Sequence, residues 1–132
     1  MEIDAIDHVN LKIPADGIEA AIEFYHDGLR FDIENRELYE AGEKPFVSVR
    51  LNDSAVIHLR PSEAFVPPEK DSYDHLAIVT PEPIDAVKHR LETAKIEIDQ
   101  ELEPLGATGV APAVYVTDPF GYFIEIKTTV NA

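Results

Sequence analysis

The stretch "DHVNLKIP", Asp7–Pro14, has a partner in "DHLAIVTP", Asp74–Pro81. Asp-His, alternating apolar residues and a closing proline occur twice, 67 residues apart. The same offset pairs Val47 with Val114, Val49 with Val116, Ile57 with Ile124 and His58 with Glu125, without a gap. Agreement at both ends of each half under one shift reads as two copies of one supersecondary unit.

Each copy carries the same order of elements. The first opens with a strand over Ile3–Ile13, in which Val9, Leu11 and Ile13 alternate with His8, Asn10 and Lys12. A helix is expected over about Gly17–Asp27, with Ile18, Ala21, Ile22 and Tyr25 at helical spacing and Gly28 as terminator. Three strands follow, at about Arg30–Leu38, Pro45–Leu51 and Ala55–Arg60, with Asn52-Asp53-Ser54 as the last turn. After a linker over Pro61–Ser72 the order returns: a strand Tyr73–Thr80, a helix Ile84–Ala94, then strands Lys95–Glu103, Ala111–Thr117 and Tyr122–Thr128. The pattern is βαβββ twice, an α+β fold whose helices cover the outer face of a curved, mixed β-sheet cup.

Period-2 alternation then assigns side chains to the concave face. His8, Asn10 and Lys12, then Val56, His58 and Arg60, fall there from the first half. His75, Ala77 and Val79, then Phe123, Glu125 and Lys127, fall there from the second. If the halves pack about a pseudo-twofold axis, His8, His58, His75 and Glu125 converge. Three imidazoles and a carboxylate suit a borderline divalent ion such as Zn, Fe, Mn, Ni or Co. His26 and His89 break the pattern and read as surface residues. Lys12, Arg50, Arg60 and Lys127 alternate onto the same face, and with Asn10 they are the candidates for binding an anionic substrate.

Composition narrows the partners. The 132 residues carry 26 acidic and 11 basic side chains, a net charge of −15. Such a surface repels nucleic acid and anionic membranes and suits a halophilic interior, where salt screens self-repulsion. There is no cysteine, so disulfides and thiolate chemistry are excluded. No apolar run approaches the ~20 residues of a membrane span, and no signal peptide is visible at the start. A cytoplasmic location is the expectation.

"DHVNLKIP", "AIEFYHDGLRFDI", "VIHLRP", "YDHLAIV" and "VYVTDPFGYFIEIK" together resemble the vicinal oxygen chelate superfamily, over nearly the whole chain. That superfamily includes glyoxalase I, extradiol dioxygenases and bleomycin-binding proteins. The resemblance implies a single domain over residues 1–132, with modules at about 1–60 and 73–128 joined by the linker 61–72. It implies metal ligands at His8, His58, His75 and Glu125, and often a homodimer, in some members with exchanged modules. Glyoxalase-type members draw ligands from four such strands; extradiol dioxygenases use a His-His-Glu set matching His8, His75 and Glu125. Arg30 stands where the helix-to-strand turn often has Gly. The implied activity is a metal-dependent lyase or isomerase acting through a metal-stabilised enolate on a small anionic substrate, with Glu125 first and His58 second as base. Tyr115, in "YVTDPFGYFIE", resembles part of the dioxygenase signature and is the third catalytic candidate, although Leu105–Pro112 lacks the histidine that signature also needs. A ring-cleaving dioxygenase and a non-catalytic, resistance-type binding protein are the alternatives.

Overall fold

The computed structural model describes residues 1–129. The chain divides into two compact units, Met1–Val66 and Pro67–Ala132. In the first, β1 (His8–Pro14) is followed by α1 (Ile18–Ala21), which continues as a π-helical stretch through Ile22–Gly28. Then come β2 (Asp32–Glu34), α2 (Arg36–Glu40), β3 (Val47–Asn52) and β4 (Ala55–Ser62). The sheet order is β1-β4-β3-β2, with β1 parallel to β4 and the other pairs antiparallel. The second unit holds β5 (Leu76–Thr80), α3 (Ile84–Thr93), β6 (Gln100–Leu102), β7 (Leu105–Gly106), β8 (Gly109–Val110), β9 (Ala113–Thr117) and β10 (Phe123–Thr128). Its sheet order is β5-β10-β9-β6, with β5 parallel to β10. The mixed α+β architecture and the repeated βαβββ order are therefore present.

Both sheets repeat one register. Asn10 lies opposite His58, and Ala77 lies opposite Glu125. Ser48 faces His58 as Tyr115 faces Glu125, and Val47 faces Leu59 as Val114 faces Ile126. The shift of 67 thus holds across β1, β3 and β4. It becomes 66 at β2 and β6, where Glu34–Ser48 corresponds to Gln100–Tyr115. Alternation sends Leu11, Ile13, Val47, Val49, Ile57 and Leu59 into one core, with Ala21, Phe24 and Tyr25 of the helix. Val114, Val116, Ile124 and Ile126 form the other, with Val87 and Leu91 of α3.

Several boundaries differ from those read in the sequence. The first strand begins at His8 rather than Ile3, and Ile3 and Ile6 are exposed. The expected strand Arg30–Leu38 shrinks to Asp32–Glu34, because Asn35 turns left-handed at φ 68° and starts α2. The expected strand Lys95–Glu103 shrinks to Gln100–Leu102, and the β7–β8 hairpin was not anticipated. The π-helical stretch also alters the buried face. Leu29 N–H donates to Phe24 O at 3.0 Å, five residues back, and Phe24 is buried beside Tyr25.

The helix ends explain the strain. At α3, Lys95 N–H donates to Glu92 O and Ile96 N–H to Leu91 O, a Schellman closure with Lys95 left-handed at φ 59°. After the π stretch the closure is one residue wider, Arg30 to His26 and Phe31 to Tyr25, with Arg30 at φ 69°. A side chain in this region costs about 1–2 kcal/mol, partly offset by the backbone freedom that glycine loses. Arg30→Gly should therefore stabilise by ~0.5–1 kcal/mol, about 2–5 °C in Tm. Thermal unfolding checks it; an unchanged or lower Tm would contradict this account of the turn.

Candidate metal centre

The ladder brings the chemistry-bearing side chains of each unit together on the face opposite its helix. In the first unit the His8 and His58 rings lie 4.6 Å apart between centroids, tilted by 45°. In the second, Nε2 of His75 is 3.3 Å from Oε1 of Glu125. Two donors held ~2.1 Å from one ion at right or tetrahedral angles stand about 3.0–3.4 Å apart. The His75–Glu125 pair already has that bite, and its donor types suit a borderline divalent ion. Among the described residues no group of three or more His, Asp or Glu side chains is gathered around one point.

Carboxylates fix two of the three imidazoles. Nδ1 of His8 faces Asp7 Oδ2 at 2.7 Å, and Nδ1 of His75 faces Asp74 Oδ1 at 2.5 Å. A carboxylate at Nδ1 holds the ring proton there and leaves the Nε2 lone pair for a ligand. The repeated Asp-His dipeptide is thus a repeated orienting device.

Hydroxyls do the corresponding work one strand away. Tyr115 donates to Glu125 Oε1 at 2.6 Å, and the Ser48 hydroxyl lies 2.9 Å from Nδ1 of His58. Asn35 Nδ2 donates to Ser48 Oγ at 3.0 Å. With the amide in that orientation, the Ser48 hydroxyl can donate to Nδ1 of His58, which puts the ring proton on Nε2, or accept from Nδ1–H, which frees Nε2 to ligate. Burial, and then the neighbouring His8, hold His58 below the usual histidine range, against the pull of Asp7. Phe46 covers its ring at a centroid distance of 4.0 Å. Ser48 and Asn35 were not singled out in the sequence, although the offset that pairs Ser48 with Tyr115 marks one of them.

The four cations expected on this face have different surroundings. Arg50 is gripped by Glu34 at 2.9 and 3.1 Å and also donates to Asn52 O, so its guanidinium is engaged within the sheet. That hydrogen bond raises Arg50 and lowers Glu34. Lys12 and Asn10 are exposed on β1, and Arg60 is half-buried on β4. Lys127 is buried at 4% exposure. His26 and His89 are exposed, His26 with Nδ1 2.7 Å from Phe31 O. Beside the His75 pair, a groove of about 500 Å³ is lined by Tyr73, Asp74, Asp99, Gln100, Thr117 and Phe123, among others.

The family model of the Glyoxalase/Bleomycin resistance protein/Dioxygenase superfamily matches residues 5–126. The chain belongs to this superfamily, the vicinal oxygen chelate proteins. Virulence protein STM3117 from Salmonella typhimurium is 30% identical, with 98% of this chain and 100% of that one aligned and a TM-score of 0.76. A glyoxalase/dioxygenase from Nostoc punctiforme is 20% identical over 96% of this chain and 98% of its own, with a TM-score of 0.71. Lactoylglutathione lyase from Agrobacterium tumefaciens is 18% identical over 97% and 96%, with a TM-score of 0.69. The last two likenesses are of fold. None of the curated proteins matches the chain. Among the described residues no helix of this vicinal oxygen chelate protein is long and apolar enough to cross a membrane.

Two tyrosines carry a pH signature. Burial, and then the bond to Glu125, push Tyr115 up to about 12; burial, and then Asp118, do the same for Tyr73. A phenol raised in the folded state contributes stability that is whole below its unfolded value of 10.0 and lost as pH rises through about 12. Ultraviolet titration should show Tyr73 and Tyr115 still protonated at pH 11 while the fold persists. Ionisation of all five tyrosines together near pH 10 would contradict the Tyr115–Glu125 bond.

Proposed function

We propose that this chain is a divalent-metal enzyme of glyoxalase type, a lyase or isomerase acting on a small, anionic, oxygen-chelating substrate. The observation that supports this reading most is the repeated register, in which His58 takes in one unit the place that Glu125 takes in the other. His8, His58, His75 and Glu125 would hold the ion, from one chain or from two copies in a homodimer. When bound, the ion supplies Lewis acidity to the substrate's oxygens. Asp7 and Asp74 keep two Nε2 lone pairs presented. Glu125, restrained by Tyr115, would be the first base for a substrate proton, with His58 second. Asn10, Lys12 and Arg60 offer polar and positive contacts on the same faces.

A second reading draws on the Asn35–Ser48–His58 chain. With Ser48 donating to Nδ1, His58 presents an N–H at Nε2 rather than a lone pair. The ion would then rest on His8, His75 and Glu125, with Tyr115 holding the Glu125 carboxylate and His58 as a hydrogen-bond donor to substrate. That set matches an extradiol ring-cleaving dioxygenase. A non-catalytic, resistance-type role has less support, since its binding would not call for oriented Nε2 atoms.

Elemental analysis of purified protein should find a first-row divalent ion, and Asp74→Asn should weaken its binding about 10- to 100-fold. Protein that takes up no such ion at micromolar concentration would overturn both enzyme readings. His58→Ala separates them. Weakened metal binding and no oxygen uptake support the lyase or isomerase; intact metal binding with catechol-dependent oxygen uptake in the parent supports the dioxygenase.

A further inference from the structure

Among the described residues, Lys127 is the one cation of the functional face that is both buried and in no ion pair. It lies on β10 two residues beyond Glu125, on the same side of the sheet. Its strand neighbours there are Val79 on β5 and Ala113 on β9, both without charge. Nζ donates to Thr108 Oγ1 at 3.1 Å, and among the described residues no carboxylate pairs with it. The chain has 26 carboxylates against 11 cations, so a buried lysine in no ion pair is the opposite of what composition favours. Burying an ammonium without an ion-pair partner is costly, and an anion bound beside it would offset that cost.

The roof over Lys127 is thin. It is the β7–β8 hairpin, whose ladder has two pairs, Leu105–Val110 and Gly106–Gly109. Gly106 lies directly on the lysine: a Cβ there would stand 3.4 to 3.9 Å from Cε, Cδ and Nζ. Gly109, at φ 97°, makes the turn that returns the chain. The Leu105 side chain is 80% exposed, so it adds no buried apolar contact to the roof.

We infer that Lys127, under the Leu105–Val110 hairpin, is the seat of the substrate's carboxylate. The hairpin opens to admit the anion, which takes a charge-assisted hydrogen bond from Nζ beside the Thr108 hydroxyl. Two residues along a strand span roughly 6–7 Å. The carboxylate therefore sits about that far from the Glu125 end of the face, where the chelating oxygens belong. This inference rests on the metal-enzyme reading for its partner site and narrows the substrate to a carboxylic acid with separate chelating oxygens.

The test uses chelator-treated full-length protein, so that it does not depend on metal. Propionate, titrated at constant ionic strength, should saturably shift the amide signals of residues 106–109 and 127, while propionamide should not. Lys127→Met should weaken the propionate response about 10- to 100-fold, the loss expected for a hydrogen bond to a charged group, and Lys127→Arg should restore part of it. In the wild type, propionate should also protect Lys127 from acylation, mapped by peptide mass, which decides the matter if Lys127→Met does not fold. Equal responses to propionate and propionamide, or no protection of Lys127, would overturn the inference. Metal content, measured separately, reports on the metal reading alone.

Discussion

The parallel pairing of β1 with β4, and of β5 with β10, is the constraint on which the rest depends. A one-residue slip in either pair would turn every side chain of a strand to the other face. A slip of β4 would send His58 into the core and Ile57 and Leu59 to water, and a slip of β1 would do the same to His8 and to Leu11 and Ile13. Burial of Ile57 and Leu59, at 2% and 0% exposure, sets the register; the polar side chains are placed as its consequence. Because both units bury the equivalent set, both deliver a histidine and a second donor to equivalent places.

That shared register also distributes the outer contacts. Each unit has an Asp directly before its first histidine, and a hydroxyl on the strand beside its second donor. The chemistry diverges while the geometry stays. Ser48 sits on an imidazole and is backed by Asn35, whereas Tyr115 sits on a carboxylate and stacks on Phe123 at 5.3 Å. One framework thus holds a reversible hydrogen-bond chain on one side and a fixed donor–acceptor pair on the other.

Much of this was legible in the sequence for a physical reason. Strands alternate with period 2, so the face of His8, His58, His75 and Glu125 follows once the strands are found. Short local preferences were harder to read. Asn35 and Arg30 adopt left-handed backbone, and this cuts β2 to three residues and opens α2. The apolar alternation of Arg30–Leu38 concealed both turns. The π-helical widening that buries Phe24 has no pattern of its own in a 3.6-residue reading. At the site, alternation gave the direction of Arg50 and Lys127 but not their surroundings. Glu34 engages Arg50 diagonally across two strands, and an unanticipated hairpin buries Lys127.

We propose that one cation is bound by the oriented histidines and Glu125, and a crystal grown with Co²⁺ and measured at the cobalt edge can show it. An anomalous peak is expected about 2.1 Å from Nε2 of His75 and from the Glu125 carboxylate, with His8 Nε2 completing the set from the same chain or a second copy. Cobalt held only by scattered surface carboxylates, with His75 and Glu125 bare, would contradict it.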